Sequence, residues 1–424
     1  MTFSSQAWAA LPDDSLQRMM PQVTQPSYSR RHGAVQLSGG ISRLVPQSDY
    51  VSSLVHSHFT DFQDVRFLWR TSPANNDPYA RAYHFPTLQV GVLHGDYSHV
   101  EVYRPSRDYH SHIGHAIGIF GGIQVDFLRI GPWALGCDLQ NGVGFFTDHY
   151  NYETNRDNEI IGGVATIYVG AALRTSVRLS PQWMLSLSAE FRHFSNGHII
   201  RPNLGTNTLG PSLSLAYDFA RQPKLPSTIG RKAHLADDES SKVSAANEES
   251  QVLESKHAFR RGIYVDLSVG ASAKSLLEAF MAKPSEHTHT YFSLTAMVAP
   301  MWRYHRIHAS GIQLDYMNAR YVSRIRELDH AAHREGYRYS PHVLGVGVRH
   351  ELFYHHVSLH ASVGLYLRHR AGQLSATQEG HFYQTIGLRY SFPFTNDRLF
   401  VGYNVKAHHL SKADCMQAML GWRW

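Results

Sequence analysis

Over Trp183–Ser195, WMLSLSAEFRHFS, every second side chain is apolar: Trp183, Leu185, Leu187, Ala189 and Phe191 fall on one face of an extended chain, and Met184, Ser186, Ser188, Glu190 and Arg192 on the other. The same alternation returns in segment after segment from Arg31 to the end. No run of about 18 apolar residues occurs, which argues against a helical membrane span. A strand with one apolar face needs something to cover that face. A second sheet does this in a water-soluble sandwich; lipid does it in a membrane barrel, whose strands take about 9–11 residues to cross the hydrocarbon and turn their polar side inward. Aromatics at 12% against 17% charged residues favour strands and turns over helix, and the mean hydropathy of -0.32 suits either environment.

Strands are expected near 32–43, 58–70, 84–94, 115–129, 132–146, 163–179, 182–195 and 207–220, then near 260–272, 289–304, 307–321, 339–352, 356–369, 381–392, 398–408 and 415–424. Connection lengths separate the two environments. Short turns at Gly131-Pro132, Ser180-Pro181, His305-Arg306, Tyr354-His355 and Asn396-Asp397 alternate with longer loops near 95–113, 148–162, 196–206, 273–288, 322–338 and 370–380. The connection at 71–83 is long on the short-turn side. Outer-membrane barrels have short periplasmic turns and long outer loops, whereas a sandwich has no reason to keep such parity. The chain therefore reads as all-β, an antiparallel outer-membrane β-barrel of about sixteen strands in two halves, either one wide barrel or two eight-stranded units. The halves are 31–220 and 259–424. Between them, 221–258 is polar, mixed in charge and poor in aromatics, as expected of a periplasmic linker, with a short amphipathic helix around Ala245–Lys256. In 1–30, Ala7-Trp8-Ala9 resembles the end of a secretory signal. The terminal strand closes on an aromatic, Trp424, as the insertion signal of outer-membrane barrels does.

The net charge of +6 is spread along the chain rather than gathered in basic blocks, so nucleic acid is not an expected partner; a basic rim near anionic lipid head groups fits better. Cys137 and Cys415 lie far apart and in no metal-type spacing, and no disulfide is expected. The histidine pairs His355-His356 and His408-His409 sit on different segments, and no metal site is expected from them. By parity Lys406 and His408 face the lumen and His409 faces outward; Lys412 at the rim could meet substrate phosphate or only solvent.

Continuing the count along Trp183–Ser195, His193 and Ser195 fall on the lipid side near the outer end of their strand, and Asn207 joins the lipid side of the next. Polar groups facing lipid are costly unless partnered or interfacial. A substrate resident in the outer leaflet would account for them, with His193 as general base, Ser195 as nucleophile toward an ester carbonyl, and Asn203, Asn196 or the glycine-containing loop backbone as oxyanion donors. Taken alone, His-x-Ser is a weak signal, and an interfacial His and Ser more often simply contact lipid head groups.

The longer stretch HFSNGHIIRPNLGTN resembles the H-x-S-N-x(6)-N motif of the outer-membrane lipid A 3-O-deacylases, whose larger two-part relatives are the acyloxyacyl hydrolases. The resemblance is most specific over Trp183–Phe219 and extends over 31–220; the second half looks like the extension of the larger relatives. It implies that His193 is the catalytic histidine, Ser195 the nucleophile and Asn203 an oxyanion-site asparagine. It implies hydrolysis of an acyl ester of lipid A at the 3-position, without metal or organic cofactor, with lipopolysaccharide and outer-membrane lipids as partners. The family's third catalytic member is a glutamate fourteen residues beyond the histidine; here that position is Asn207, which can orient a histidine but supplies no charge. The competing expectation is a catalytically silent structural or pore-forming barrel. The sequence leaves the oligomeric state and the lipid A species open.

Overall fold

The computed structural model describes residues 32–73, 76–104, 110–219, 259, 261–285, 288–409 and 412–424. The segment 1–30 and the 221–258 linker with its expected helix lie outside these. Two closed antiparallel barrels of eight strands each account for the sixteen strands among the described residues. The first contains β1 (His32–Leu44), β2 (Phe59–Arg70), β3 (Thr87–Asp96), β4 (His115–Ile130), β5 (Trp133–Phe146), β6 (Ala165–Arg178), β7 (Trp183–Ser195) and β8 (Thr206–Asp218). The second contains β9 (Gly262–Ser275), β10 (Thr290–His305), β11 (His308–Asn318), β12 (Tyr339–Tyr354), β13 (Val357–Ala371), β14 (Phe382–Ser391), β15 (Leu399–His408) and β16 (Lys412–Arg423). Closure decides between one wide barrel and two small ones: β1 pairs with β8 through Val35 and Tyr217, and β9 with β16 through Val269 and Leu420.

The alternation is what the barrels require. Outward side chains include Leu187, Phe191, Leu213 and Val143, all exposed and apolar. Trp69, Trp133, Trp183, Phe219, Trp302 and Trp424 are exposed at the turn end, where aromatic side chains suit a membrane interface. An eight-stranded barrel leaves room inside only for side chains. In the first barrel that room holds paired charges: Arg66 bonds Asp64 at 2.6 Å and Glu190 at 3.2 Å, and Arg174 bonds Asp138 at 2.9 Å and Asp126 at 2.7 Å. In the second, Asp266 bonds Arg389 at 2.7 Å and Arg423 at 2.8 Å. Burying these charges is tolerable only because each of them has an oppositely charged partner. At the loop end of the first barrel Phe62, Tyr97, Phe120, Phe146, Tyr168 and Phe194 form an apolar plug with Val51, Leu54, Ile160 and Ile161 from the loops.

Four strand ends differ from the sequence expectation by three residues: β9 runs on to Ser275, β11 stops at Asn318, and β3 and β16 differ at their starts. β3 begins at Thr87 because Asp77 caps a helix over Pro78–Ala82, accepting from the backbone of Tyr79 and Ala80, and the chain then turns through His84 and Phe85 at φ 56° and 59°. β16 begins at Lys412, three residues before the alternation is legible. Cys137 and Cys415 are free thiols.

Candidate active site on the β7–β8 hairpin

β7 and β8 are antiparallel neighbours in a register that sets His193 directly opposite Asn207. The spacing of fourteen residues is thus a cross-strand pair closed by the loop 196–205. His193 Nδ1 lies 2.7 Å from Asn207 Oδ1. An amide oxygen only accepts, so the proton sits on Nδ1 and Nε2 keeps its lone pair. That is the tautomer a general base needs.

Ser195 ends β7 on the outward face, paired with Ile167 of β6, yet it is only 8% exposed. Its own loop folds back over it. Ser195 Oγ accepts hydrogen bonds from Asn203 Nδ2 at 2.8 Å and from the Gly197 N–H at 3.2 Å. Asn196, expected as an oxyanion donor, does not reach the hydroxyl. Its side chain donates to Ile200 O at 3.0 Å, and its N–H donates to Asn203 Oδ1 at 3.3 Å. This second bond fixes the Asn203 amide with Nδ2 toward Ser195. Asn196 therefore shapes the loop and orients the residue that meets the hydroxyl.

Two glycines make the geometry possible, one of them in the loop backbone already expected to supply a donor. Gly197 at φ 60° supplies an N–H that only a tight left-handed turn can aim back at the preceding strand. Gly205 at φ 74° lies between base and nucleophile: a Cβ there would stand 3.3 Å from both His193 Cε1 and Ser195 Cβ. Among the described residues no hydrogen bond joins His193 to Ser195. Such bonds are commonly long before substrate arrives.

Further along the loop, burial and then the nearby cations Arg201 and Lys274 hold the His198 imidazole well below its usual value. It is neutral, and its Nδ1 accepts from Arg201 Nη2 at 3.1 Å. Glu190, the nearest carboxylate on β7, faces the lumen and pairs with Arg66 and Arg192. It belongs to the charge network and not to the site. Lys406 and His408 are buried in the lumen of the second barrel, and His409 is exposed. Among the described residues the group arranged as metal ligands are is Glu379, His408 and Asp414; the Lys274 ammonium already bonds both of its carboxylates.

The family description "Lipid A 3-O-deacylase (PagL)" matches residues 90–216, which contain the whole hairpin. The description "Acyloxyacyl hydrolase, C-terminal domain" matches residues 263–424. The curated proteins searched contain no significant match. Among solved structures the chain is similar to neisserial surface protein A, at 13% identity over 44% of this chain and 97% of that one, with a TM-score of 0.25. It is also similar to an outer-membrane channel of Pseudomonas putida F1, at 8% identity over 95% and 100% of the two chains, with a TM-score of 0.21. A third is CdiB of Acinetobacter baumannii, at 9% identity over 93% and 60%, with a TM-score of 0.17. Likenesses at these scores carry no argument. The two family matches, by contrast, take in the candidate hairpin and the second barrel, and both describe hydrolases of acyl esters: the chain belongs to the outer-membrane lipid A 3-O-deacylase and acyloxyacyl hydrolase family of β-barrels.

Proposed function

We propose that the protein is a membrane-embedded serine esterase that removes an ester-linked acyl chain from lipid A at the 3-position, with Ser195 as nucleophile, His193 as base and Asn207 as the group that orients the base. The observation that carries this reading is the surroundings of Ser195 Oγ. Asn203 Nδ2 and the Gly197 N–H converge on it, one strand position away in parity from a histidine whose tautomer Asn207 sets. A structural serine has no need of two donors and a neighbouring oriented base.

The reaction follows from these positions. His193 Nε2 takes the hydroxyl proton as Oγ bonds to the ester carbonyl carbon. The charge moves to the carbonyl oxygen, two bonds from Oγ through the attacked carbon and within reach of the same two donors. Collapse breaks the ester, His193 returns the proton to the departing sugar oxygen, and the acyl group remains on Ser195. Water, deprotonated by His193, then releases the fatty acid. The outward position suits a substrate that arrives sideways through the membrane. Apolar Val169, Phe191 and Leu209 next to the site offer a surface for its acyl chains.

The pore alternative has less support. The first lumen is filled by paired charges and plugged by aromatic residues at its loop end.

A lipid-like phosphonate ester, which mimics the tetrahedral intermediate, tests the nucleophile directly. The expected result is a stable adduct on the peptide that contains Ser195, absent from Ser195→Ala. An adduct on another residue, or none, contradicts the proposal.

A further inference from the structure

The loop that carries both donors to Ser195 is held from the side by the second barrel. His198 O accepts the Ser275 N–H at 2.8 Å and the Ser275 hydroxyl at 2.8 Å. Ile199 O accepts Thr290 Oγ1 at 2.8 Å, and Arg201 O accepts Thr288 Oγ1 at 2.7 Å. Gly197 packs so tightly on β16 that a Cβ there would lie 2.5 Å from Met416 Cγ. On its other flank the loop is tied to the first barrel, Leu204 N–H to Glu159 O at 3.0 Å and Gly205 N–H to Ile160 O at 2.9 Å. The two flanking loops also meet each other, through Tyr150 OH and Pro284 O at 2.9 Å and through the Tyr150 and Phe280 rings at 5.4 Å.

The pinned carbonyls bracket the donors. Gly197 immediately precedes His198, and Asn203 follows Arg201 by two residues. Fixing those carbonyls fixes the path of the chain between them, and so the direction of both donors. The anchor is itself stiff: Ser275 is fully buried, and its neighbour Lys274 is buried with its ammonium shared by Glu379 and Asp414. A donor misplaced by a few tenths of an ångström loses most of its value to a transition state, whereas substrate binding along the barrel wall barely senses it.

We infer that the second barrel is a working part of the esterase site, and that Ser275, Thr288 and Thr290 are positioning residues that hold Asn203 and Gly197 on Ser195. This rests on the reading of Ser195 as nucleophile.

The test uses the purified full chain with Ser275→Ala, Thr288→Val and Thr290→Val combined, which removes three hydroxyl donors and keeps side-chain shape nearly unchanged. Folded fractions are matched by the heat-dependent shift in electrophoretic mobility that intact barrels give. The kcat for lipid A ester hydrolysis is expected to fall about ten-fold with KM within about two-fold, the pattern of an interaction made in the transition state. Labelling of Ser195 by the phosphonate is expected to slow in the same ratio. Thr288→Ser with Thr290→Ser, which keeps the hydroxyls, is expected to retain wild-type rates. So is Tyr403→Phe, which removes a contact to Asn141 between the barrels at mid-strand. Wild-type kcat in the triple variant, or an equal loss in Tyr403→Phe, overturns the inference while leaving the esterase reading intact. A wild-type protein without Ser195-dependent hydrolysis removes the esterase reading, and this inference with it.

Discussion

In the proposed mechanism Asn207 orients His193 but leaves the imidazolium formed during attack without a counter-charge. The 2.7 Å contact makes the two roles of a triad's third member separable in one protein. Asn207→Ala removes orientation and is expected to lower kcat about ten-fold. Asn207→Glu keeps orientation, adds charge, and is expected to match or exceed the wild type. Equal ester-hydrolysis rates for all three at matched folded concentration would make Asn207 a bystander. Glu190 gives the opposite control. It lies three residues from His193 but on the lumen face, bonded to Arg66, so Glu190→Gln should keep its rate per folded molecule. Breaking that buried pair should still destabilise the barrel by about 3 kcal/mol, read as a lower temperature for the mobility shift. Gly205→Ala acts in the reverse sense. At φ 74° it costs about 1–2 kcal/mol, and its methyl wedges between His193 and Ser195, so hydrolysis should fall at least about ten-fold in a barrel that still folds.

At the scale of elements, strands were legible in the sequence because a barrel wall in lipid enforces alternation, with most outward side chains apolar and most mid-barrel inward ones polar or charged. The alternation blurs where that constraint lapses. The helix over Pro78–Ala82 and the late start of β3 follow from the Asp77 cap, a local hydrogen bond that periodicity does not register. The early start of β16 is hidden by Lys412, Asp414 and the buried Cys415, whose neighbours are loops and a lumen charge cluster rather than lipid. In the site, His193, Ser195 and Asn207 were readable from parity and motif. Asn196 bracing Asn203, and Gly197 and Gly205 making room, were not, because they depend on how the loop 196–205 folds back. Parity also orients the whole. Asp218 and Gly262 both lie at the short-turn side, and we propose that this side, with the linker between them, faces the periplasm. Protease added to intact cells should spare residues 225–258 and be able to cut only at long loops such as 322–338, as read by peptide mapping; cleavage within 225–258 from outside would invert this topology.

At the scale of the whole molecule, two eight-stranded barrels stand side by side, touching through the loops around the site, through Tyr403 and Asn141 at mid-strand, and through Asp77 and His355 at 2.9 Å on the turn side. Whether sixteen strands would close as one barrel or two was beyond the reach of alternation, since both place every side chain on the same faces. Closure lies in the pairing of β1 with β8 and of β9 with β16. Under the proposed function two small barrels, the first with its lumen filled by paired charges and aromatic residues, serve as an enzyme scaffold rather than a channel, and planar bilayers with the purified protein are expected to show no steady conductance. The central claim, that Ser195 cleaves an acyl ester of lipid A, is tested most directly by mass spectrometry of lipid A incubated with the purified protein and, in parallel, with Ser195→Ala. Loss of one 3-linked hydroxyacyl chain with the wild type alone is the predicted result; identical lipid A spectra from the two proteins would contradict it.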